Sequence, residues 1–127
     1  MVPGDHGSTY GGNPLVCAAA SKVMDLFEEK HLVEHVKEIG GYLEKKLAGL
    51  VEKYDAVVSN RGKGLIQGLE FSVPVAPVVN NALLEQKLVL ISAGSNIIRF
   101  VPPLVIENSD VDQMIIRLEK AIEASLL

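Results

Sequence analysis

The chain has 127 residues, a length that fits a single domain able to bury roughly two-thirds of its unfolded surface. Sixteen acidic residues against twelve basic ones give a formal net charge of −4. Without a basic stripe or an aromatic platform, nucleic-acid binding is not expected. The single cysteine, Cys17, excludes a disulfide framework and favours a reducing cytoplasm, where we expect it to be a buried structural residue. No leader and no membrane-spanning apolar run is visible, so neither secretion nor a membrane location is expected.

The apolar content is slightly high for a domain with so few aromatic residues. Hydrophobic residues make up 48% of the chain, while aromatic residues make up 5%. Two explanations remain open at this point. The chain has either a compact aliphatic core or an apolar surface that meets a partner domain or subunit.

Two helices are predicted between residues 14 and 54. Asn13 as N-cap and Pro14 as the first helical residue predict a helix, whose small and uncharged first turns indicate burial on more than one side. A second helix is predicted over residues 31–54. Residues 40–41, two glycines, interrupt it, so either the helix bends or another backbone packs close to it. Its predicted buried face consists of Leu32, Val36, Ile39, Leu43, Leu47 and Leu50.

The second half of the chain reads as short strands and two helices. Strands are predicted at four places, residues 56–59, 65–71, 88–92 and 97–101, with a short helix at 78–87 before the third. Because residues 88–91 are apolar without alternation, we expect that strand to be covered on both faces. The resulting order of elements predicts an α+β fold, in which helices pack on one face of a small, mainly antiparallel sheet.

A final helix follows the last predicted strand. Ser109, with Asp112 three residues later, predicts a capping box at its start. The predicted buried stripe of this helix consists of Val111, Met114, Ile115, Leu118, Ile122 and Leu126.

The most specialised segment lies at residues 5–14, where Gly7, Ser8, Thr9 and Gly11 precede the first helix. Backbone N–H groups, two hydroxyls and the positive end of a helix dipole suit a phosphate or a carboxylate. Serine and threonine also favour the turns that lead into helices, and this structural alternative stays open. Because domains rarely begin on their most specialised segment, we expect the chain to be part of a longer protein.

Arg99 is the second candidate for anion binding. It lies in an apolar strand, with Ile97 and Val101 on the same face by alternation. A guanidinium on such a face needs an anionic partner or must extend to water, and its planar fork suits bidentate binding of a ligand carboxylate. An internal ion pair, or a place on an exposed edge strand, would explain the arginine structurally, and spacing alone favours these two alternatives.

Two other patterns predict ordinary structure. The glycines of residues 61–68 are followed by a strand where a nucleotide-binding loop would need a helix, so we expect only a glycine-rich start of a strand. His31 and His35 stand four residues apart on a predicted helix. Without a third ligand they predict a hydrated helix face, and no metal site is expected.

Three segments together resemble the C-terminal part of the class III (ornithine-type) aminotransferases, which use pyridoxal 5′-phosphate. They are residues 4–14 (GDHGSTYGGNP), residues 61–65 (RGKGL) and residues 98–104 (IRFVPPL). Their order and approximate spacing agree with the family over essentially the whole chain, and the first segment is the most specific. Within the class, the short connection from Glu70 to Pro77 favours the enzymes that act on N-acetylornithine.

The resemblance implies roles for three residues in a full-length homodimer. Thr9 would bind the phosphate of the cofactor that belongs to the other subunit, Ser8 would lie against the substrate, and Arg99 would bind the substrate α-carboxylate. Residues 1–13 would be a cofactor-facing segment of the large domain, and residues 14–127 the small C-terminal domain. The implied reaction, in the cytoplasm, moves an amino group from N-acetylornithine or a related ω-amino acid to 2-oxoglutarate, as a step of arginine biosynthesis.

The chain departs from the family in one respect. None of its nine lysines lies in the context expected of the Schiff-base lysine, so no catalytic residue is expected here and the isolated chain should be inactive. Two other classes of function remain as alternatives. One is a stand-alone α+β module that binds an anionic metabolite without chemistry, and the other is a purely structural or dimerising piece.

Overall fold

The computed structural model describes residues 2 and 4–126, and they form four helices and four strands in the predicted order. The chain divides between Val33 and Glu34 into two compact units. The helices are α1 (Pro14–Glu29), α2 (Leu32–Lys53), α3 (Ala76–Leu84) and α4 (Asn108–Leu126). The strands are β1 (Val57–Lys63), β2 (Ile66–Phe71), β3 (Ile91–Ser92) and β4 (Ile97–Phe100).

The second unit contains a four-stranded sheet in the order β1-β2-β4-β3, and each neighbouring pair of strands is antiparallel. Burial alternates along β2, where Leu69 and Phe71 are buried, and along β4, where Ile98 and Phe100 are buried. These side chains form one core with the apolar faces of α2, α3 and α4. The predicted α+β fold with a small antiparallel sheet is therefore confirmed.

The glycine pair in α2 is explained by close packing. A Cβ atom on Gly40 would lie 2.6 Å from the Cα of Gly64, which occupies the turn between β1 and β2 with a φ of +56°. The helix and the hairpin therefore touch through their backbones. Gln67, which is buried, donates from Nε2 to the Gly64 carbonyl at 2.9 Å and holds the same turn. Gly41 faces open space, so only the first glycine of the pair is required by this contact.

The third strand is shorter than predicted. Only Ile91 and Ser92 pair with β4, and both are exposed. Val89 is 76% exposed, so the expectation of a strand covered on both faces is wrong for residues 88–91. In the observed register, a longer ladder would place Leu88 opposite Pro102, which has no N–H to donate. The run is apolar because Leu88 and Leu90 pack against the core.

The start of α4 differs from the predicted capping box. Asp110 accepts a hydrogen bond from the backbone N–H of Glu107 at 2.9 Å, and the helix begins at Asn108. Asp112 instead binds α2, where Lys46 lies 2.6 Å and the Tyr42 hydroxyl 2.8 Å from its carboxylate. The hydrogen bond from Lys46, followed by that from Tyr42, holds the pKa of the Asp112 carboxyl below its usual range. The predicted buried stripe is confirmed, with Val111, Leu118 and Ile122 buried in the core.

In the first unit, α1 begins as predicted, because the side chain of Asn13 accepts a hydrogen bond from the Val16 N–H at 3.1 Å. None of its residues is buried, and Cys17 is exposed. The predictions that α1 is buried on several sides and that Cys17 is buried are therefore wrong for this chain. Within the described part of the first unit, no other element packs over α1 and covers it. The exposed apolar side chains include Leu15 and Met24, which favours the partner-surface explanation of the composition. No described helix is long and apolar enough to span a membrane.

Candidate functional site: an exposed arginine in the interior of the sheet

Arg99 lies on β4, in the interior of the sheet between β2 and β3. It is exposed, and its register partners are Gly68 on β2 and Ile91 on β3. Within residues 2 and 4–126 no salt bridge of Arg99 is found. Arg99 is therefore not on an edge strand and has no ion pair among the described residues, and its exposure places the guanidinium in contact with water.

A groove of about 340 Å³ in the second unit includes Arg99 in its lining. Residues 88–91 and residues 101–103 line it, together with Leu43 of α2 and Met114 of α4. Its lining is mostly apolar and includes one other charged residue, Asp110, whose carboxylate already caps the start of α4. By alternation along β4, the Arg99 side chain lies on the open face of the sheet, opposite the buried Phe100, so the apolar groove adjoins the strand that carries the guanidinium. A guanidinium on this open face can bind a carboxylate through two parallel N–H···O bonds.

The loop between β4 and α4 is tied to α2 by a contact that the sequence analysis missed. The Nε2 atom of His35 lies 2.8 Å from the carbonyl oxygen of Ile106, which also lines the groove. Because a carbonyl only accepts, the His35 ring carries its proton on Nε2. The residue is partly buried and not on a hydrated face as predicted. The two residues are 71 positions apart, so helix periodicity carried no signal for the contact.

Another cluster missed by the sequence analysis lies on the same open face of the sheet as Arg99. Glu70 on β2 accepts a hydrogen bond from the Ser59 hydroxyl at 3.0 Å, and the Arg61 guanidinium lies 3.6 Å from the same carboxylate oxygen. Both partners belong to β1. The signal that could have found this cluster is the hairpin register, which places Ser59 opposite Glu70 and Arg61 opposite Gly68.

In the first unit, the residues before α1 form exposed turns. The Ser8 hydroxyl accepts a hydrogen bond from the Gly11 N–H at 2.9 Å, so the turn role left open by the sequence is present for Ser8. Gly12 has a φ of +76°, a left-handed conformation that favours glycine. Thr9 is exposed, and no hydrogen bond of its hydroxyl is found in the described part of the chain. Ser8 and Thr9 belong to the first unit, and Arg99 belongs to the second. Each of the two candidate anion sites therefore lies within its own unit.

The chain matches a protein-family model over nearly its whole length. The model described as "Aminotransferase class-III" matches residues 1–122. The chain belongs to the class III aminotransferase family. The resemblance carried by the three sequence segments is confirmed.

Among curated proteins, this class III chain is similar to enzymes named acetylornithine aminotransferase. It is 47% identical over 118 residues to that of Gloeobacter violaceus, with 92% of this chain and 30% of that protein covered. It is 44% identical over 124 residues to that of Clostridium acetobutylicum, with 97% of this chain and 32% of that protein covered. The chain therefore spans about 30% of the length of these relatives.

Solved structures of related enzymes have the same fold. The lysine aminotransferase from M. tuberculosis has a TM-score of 0.86 at 26% identity, with 98% of this chain and 29% of that chain covered. The acetylornithine aminotransferase from Elizabethkingia anophelis has a TM-score of 0.81 at 35% identity, with 98% and 32% covered. This class III chain thus corresponds to one part of a larger aminotransferase fold.

Proposed function

We propose that this chain is the C-terminal domain of a pyridoxal 5′-phosphate-dependent aminotransferase that moves an amino group to 2-oxoglutarate. The amino donor is N-acetylornithine or a related ω-amino acid. The observation that carries the proposal is Arg99, an exposed guanidinium in the interior of the sheet with no salt bridge among the described residues. The names of relatives that are more than 40% identical support the choice of donor.

Arg99 binds the α-carboxylate of 2-oxoglutarate. This carboxylate adjoins the carbon that receives the amino group, whereas in N-acetylornithine the α-carboxylate lies at the opposite end from the δ-amino group. Two parallel N–H···O bonds fix the orientation of the carboxylate as well as its position. Orientation matters in a transaminase because the C–H bond at the carbon that carries the amino group must be held in one geometry while a proton is removed.

The residues before α1 fit the phosphate of the cofactor. A phosphate requires hydroxyl and N–H donors with little steric bulk, and the exposed Thr9 lies among glycine-rich turns in front of a helix N-terminus. When bound, pyridoxal 5′-phosphate supplies an electron sink for the substrate carbanion. In our proposal Thr9 donates to the phosphate of the cofactor in the other subunit of a homodimer, while Ser8 lies against the substrate.

The remaining parts of the enzyme lie outside this sequence. Residues 1–13 are the end of a large cofactor-binding domain and residues 14–127 are the small domain. The Schiff-base lysine comes from the large domain, so this chain contains no catalytic residue and is inactive alone. The share of the relatives that it spans, about 30%, supports this division. The complete homodimer works in the cytoplasm, in arginine biosynthesis, without nucleic-acid, membrane or metal partners.

The proposal is tested by comparing the native protein that contains this sequence with the 127-residue chain alone. We expect the native protein to form glutamate from N-acetylornithine and 2-oxoglutarate, and the chain alone to form none. Glutamate formation by the chain alone would contradict the assignment of the lysine to another domain. If the native protein forms no glutamate, but phosphate or an amino acid raises the Tm of the chain, the stand-alone binding module becomes the better account.

Thr9→Val is expected to weaken cofactor binding while leaving the fold intact. The substitution removes one hydroxyl from an exposed position at nearly constant volume. A hydrogen bond to a charged group contributes about 1.5–3 kcal/mol, so the dissociation constant of pyridoxal 5′-phosphate should rise about tenfold or more. Fluorescence titration of the apoenzyme measures this constant. Thr9→Ser, which keeps the hydroxyl, is the matched control, and an unchanged constant in Thr9→Val would remove Thr9 from the site.

A further inference from the structure

Glu70 lies between two arginines on the open face of the sheet. Gly68 on β2 is the register partner of both Arg61 on β1 and Arg99 on β4. Glu70, two residues further along β2, is the register partner of Ser59 and of Ile97. It is therefore one diagonal step from each arginine. Diagonal neighbours in antiparallel strands are about 7–8 Å apart between Cα atoms, within reach of long side chains.

The carboxylate of Glu70 is held on the β1 side. Its Oε2 atom accepts from the Ser59 hydroxyl at 3.0 Å and lies 3.6 Å from the Arg61 guanidinium. On the β4 side, the described residues contain no salt bridge of Arg99. Gly68 has no side chain, and the Cγ2 atom of Ile97 lies 3.5 Å from the position that a Cβ on Gly68 would take, so a carboxylate that turned toward Arg99 would pass over Ile97. The contacts with Ser59 and Arg61 of β1 thus place the Glu70 carboxylate beside Arg61 and not beside Arg99.

We propose that Ser59 and Arg61 are positioning residues that hold Glu70 away from Arg99, so that Arg99 stays available to a ligand carboxylate. This inference rests on the proposed function, in which Arg99 binds the substrate carboxylate. Without the two β1 contacts, Glu70 pairs with Arg99 and competes with the ligand. The apparent affinity for the ligand then falls in proportion to the fraction of molecules in which Arg99 is unpaired.

The test is a double-mutant cycle in the native protein that contains this sequence, with 2-oxoglutarate as the probe and its dissociation constant as the readout. Ser59→Ala with Arg61→Ala should weaken binding about two- to fivefold, the range expected for an exposed pair. In a chain that also carries Glu70→Gln, the same two substitutions should have no effect. Arg61→Lys should keep most of the affinity. Lys63→Ala, on the same strand, controls for the loss of one positive charge.

A structure of the Ser59→Ala, Arg61→Ala chain provides a readout that does not depend on the ligand. We expect the Glu70 carboxylate within about 4 Å of the Arg99 guanidinium, the limit for an ion pair. Equal loss of affinity with and without Glu70→Gln, or a Glu70 carboxylate that stays away from Arg99, overturns the inference. If Arg99→Ala leaves the affinity of the native protein for 2-oxoglutarate unchanged, the carboxylate role in the proposed function fails, and the position of Glu70 alone decides the inference.

Discussion

Arg99→Lys is expected to lower kcat/KM of the complete aminotransferase for 2-oxoglutarate by about 10- to 100-fold. Lysine keeps the positive charge but replaces a planar fork with a single point of contact. The loss of one charge-assisted hydrogen bond, about 1.5–3 kcal/mol, sets this range. The half-reaction with 2-oxoglutarate, measured separately by single-turnover absorbance, should show this loss because the guanidinium binds the carboxylate next to the reacting carbon.

Arg117→Lys is the matched control for Arg99→Lys. Arg117 lies on α4, where it donates to the backbone carbonyl of Lys87 at 3.3 Å, and it does not line the groove. Its replacement should leave kcat/KM near that of the unsubstituted enzyme. Since Arg99 takes part in no described salt bridge, Arg99→Lys should also leave Tm nearly unchanged. An enzyme with Arg99→Lys and unaltered kcat/KM would refute the carboxylate role of this residue.

Gly40→Ala and Gly41→Ala are expected to change stability in opposite directions. Both positions lie within α2, where replacing glycine with alanine stabilises a helix by about 1 kcal/mol. At Gly41 the added methyl group meets nothing within 4 Å, so this gain should be realised in full. At Gly40 it would lie 2.6 Å from Cα and 2.7 Å from the carbonyl carbon of Gly64.

The cost at Gly40 exceeds the gain because the obstructing atoms are backbone. Overpacking a tight contact costs about 1–3 kcal/mol, and more where the neighbour cannot move. Gly64 is restrained by its left-handed turn and by the hydrogen bond from Gln67. We expect Gly40→Ala to lower the free energy of unfolding by about 1–2 kcal/mol after the gain in helix propensity is included. Urea denaturation measures both variants, and a stabilised Gly40→Ala chain would contradict the backbone contact.

Local patterns in the sequence determined the elements and the family of this protein. Period-3.6 apolar spacing located the helices, Asn13 and Pro14 placed the start of α1, and the change from helical to extended periodicity after residue 55 located the strands. Each of these signals involves residues close together in the sequence, so it can be recognised from the amino-acid sequence without knowledge of the tertiary structure. The segments around Thr9 and Arg99 identified the class III family for the same reason.

Only the tertiary structure decided the contacts between distant residues. Register placed Gly68 between Arg61 and Arg99 and put Glu70 within reach of both arginines, while chain reversal brought His35 to Ile106. The length of β3 depends on which residues of β4 can pair with it, and the exposure of Cys17 depends on whether another element covers α1. The spacing of residues along the chain does not encode either of these contacts. Periodicity specifies which face of an element is apolar, whereas its partner is selected by the packing of the whole domain.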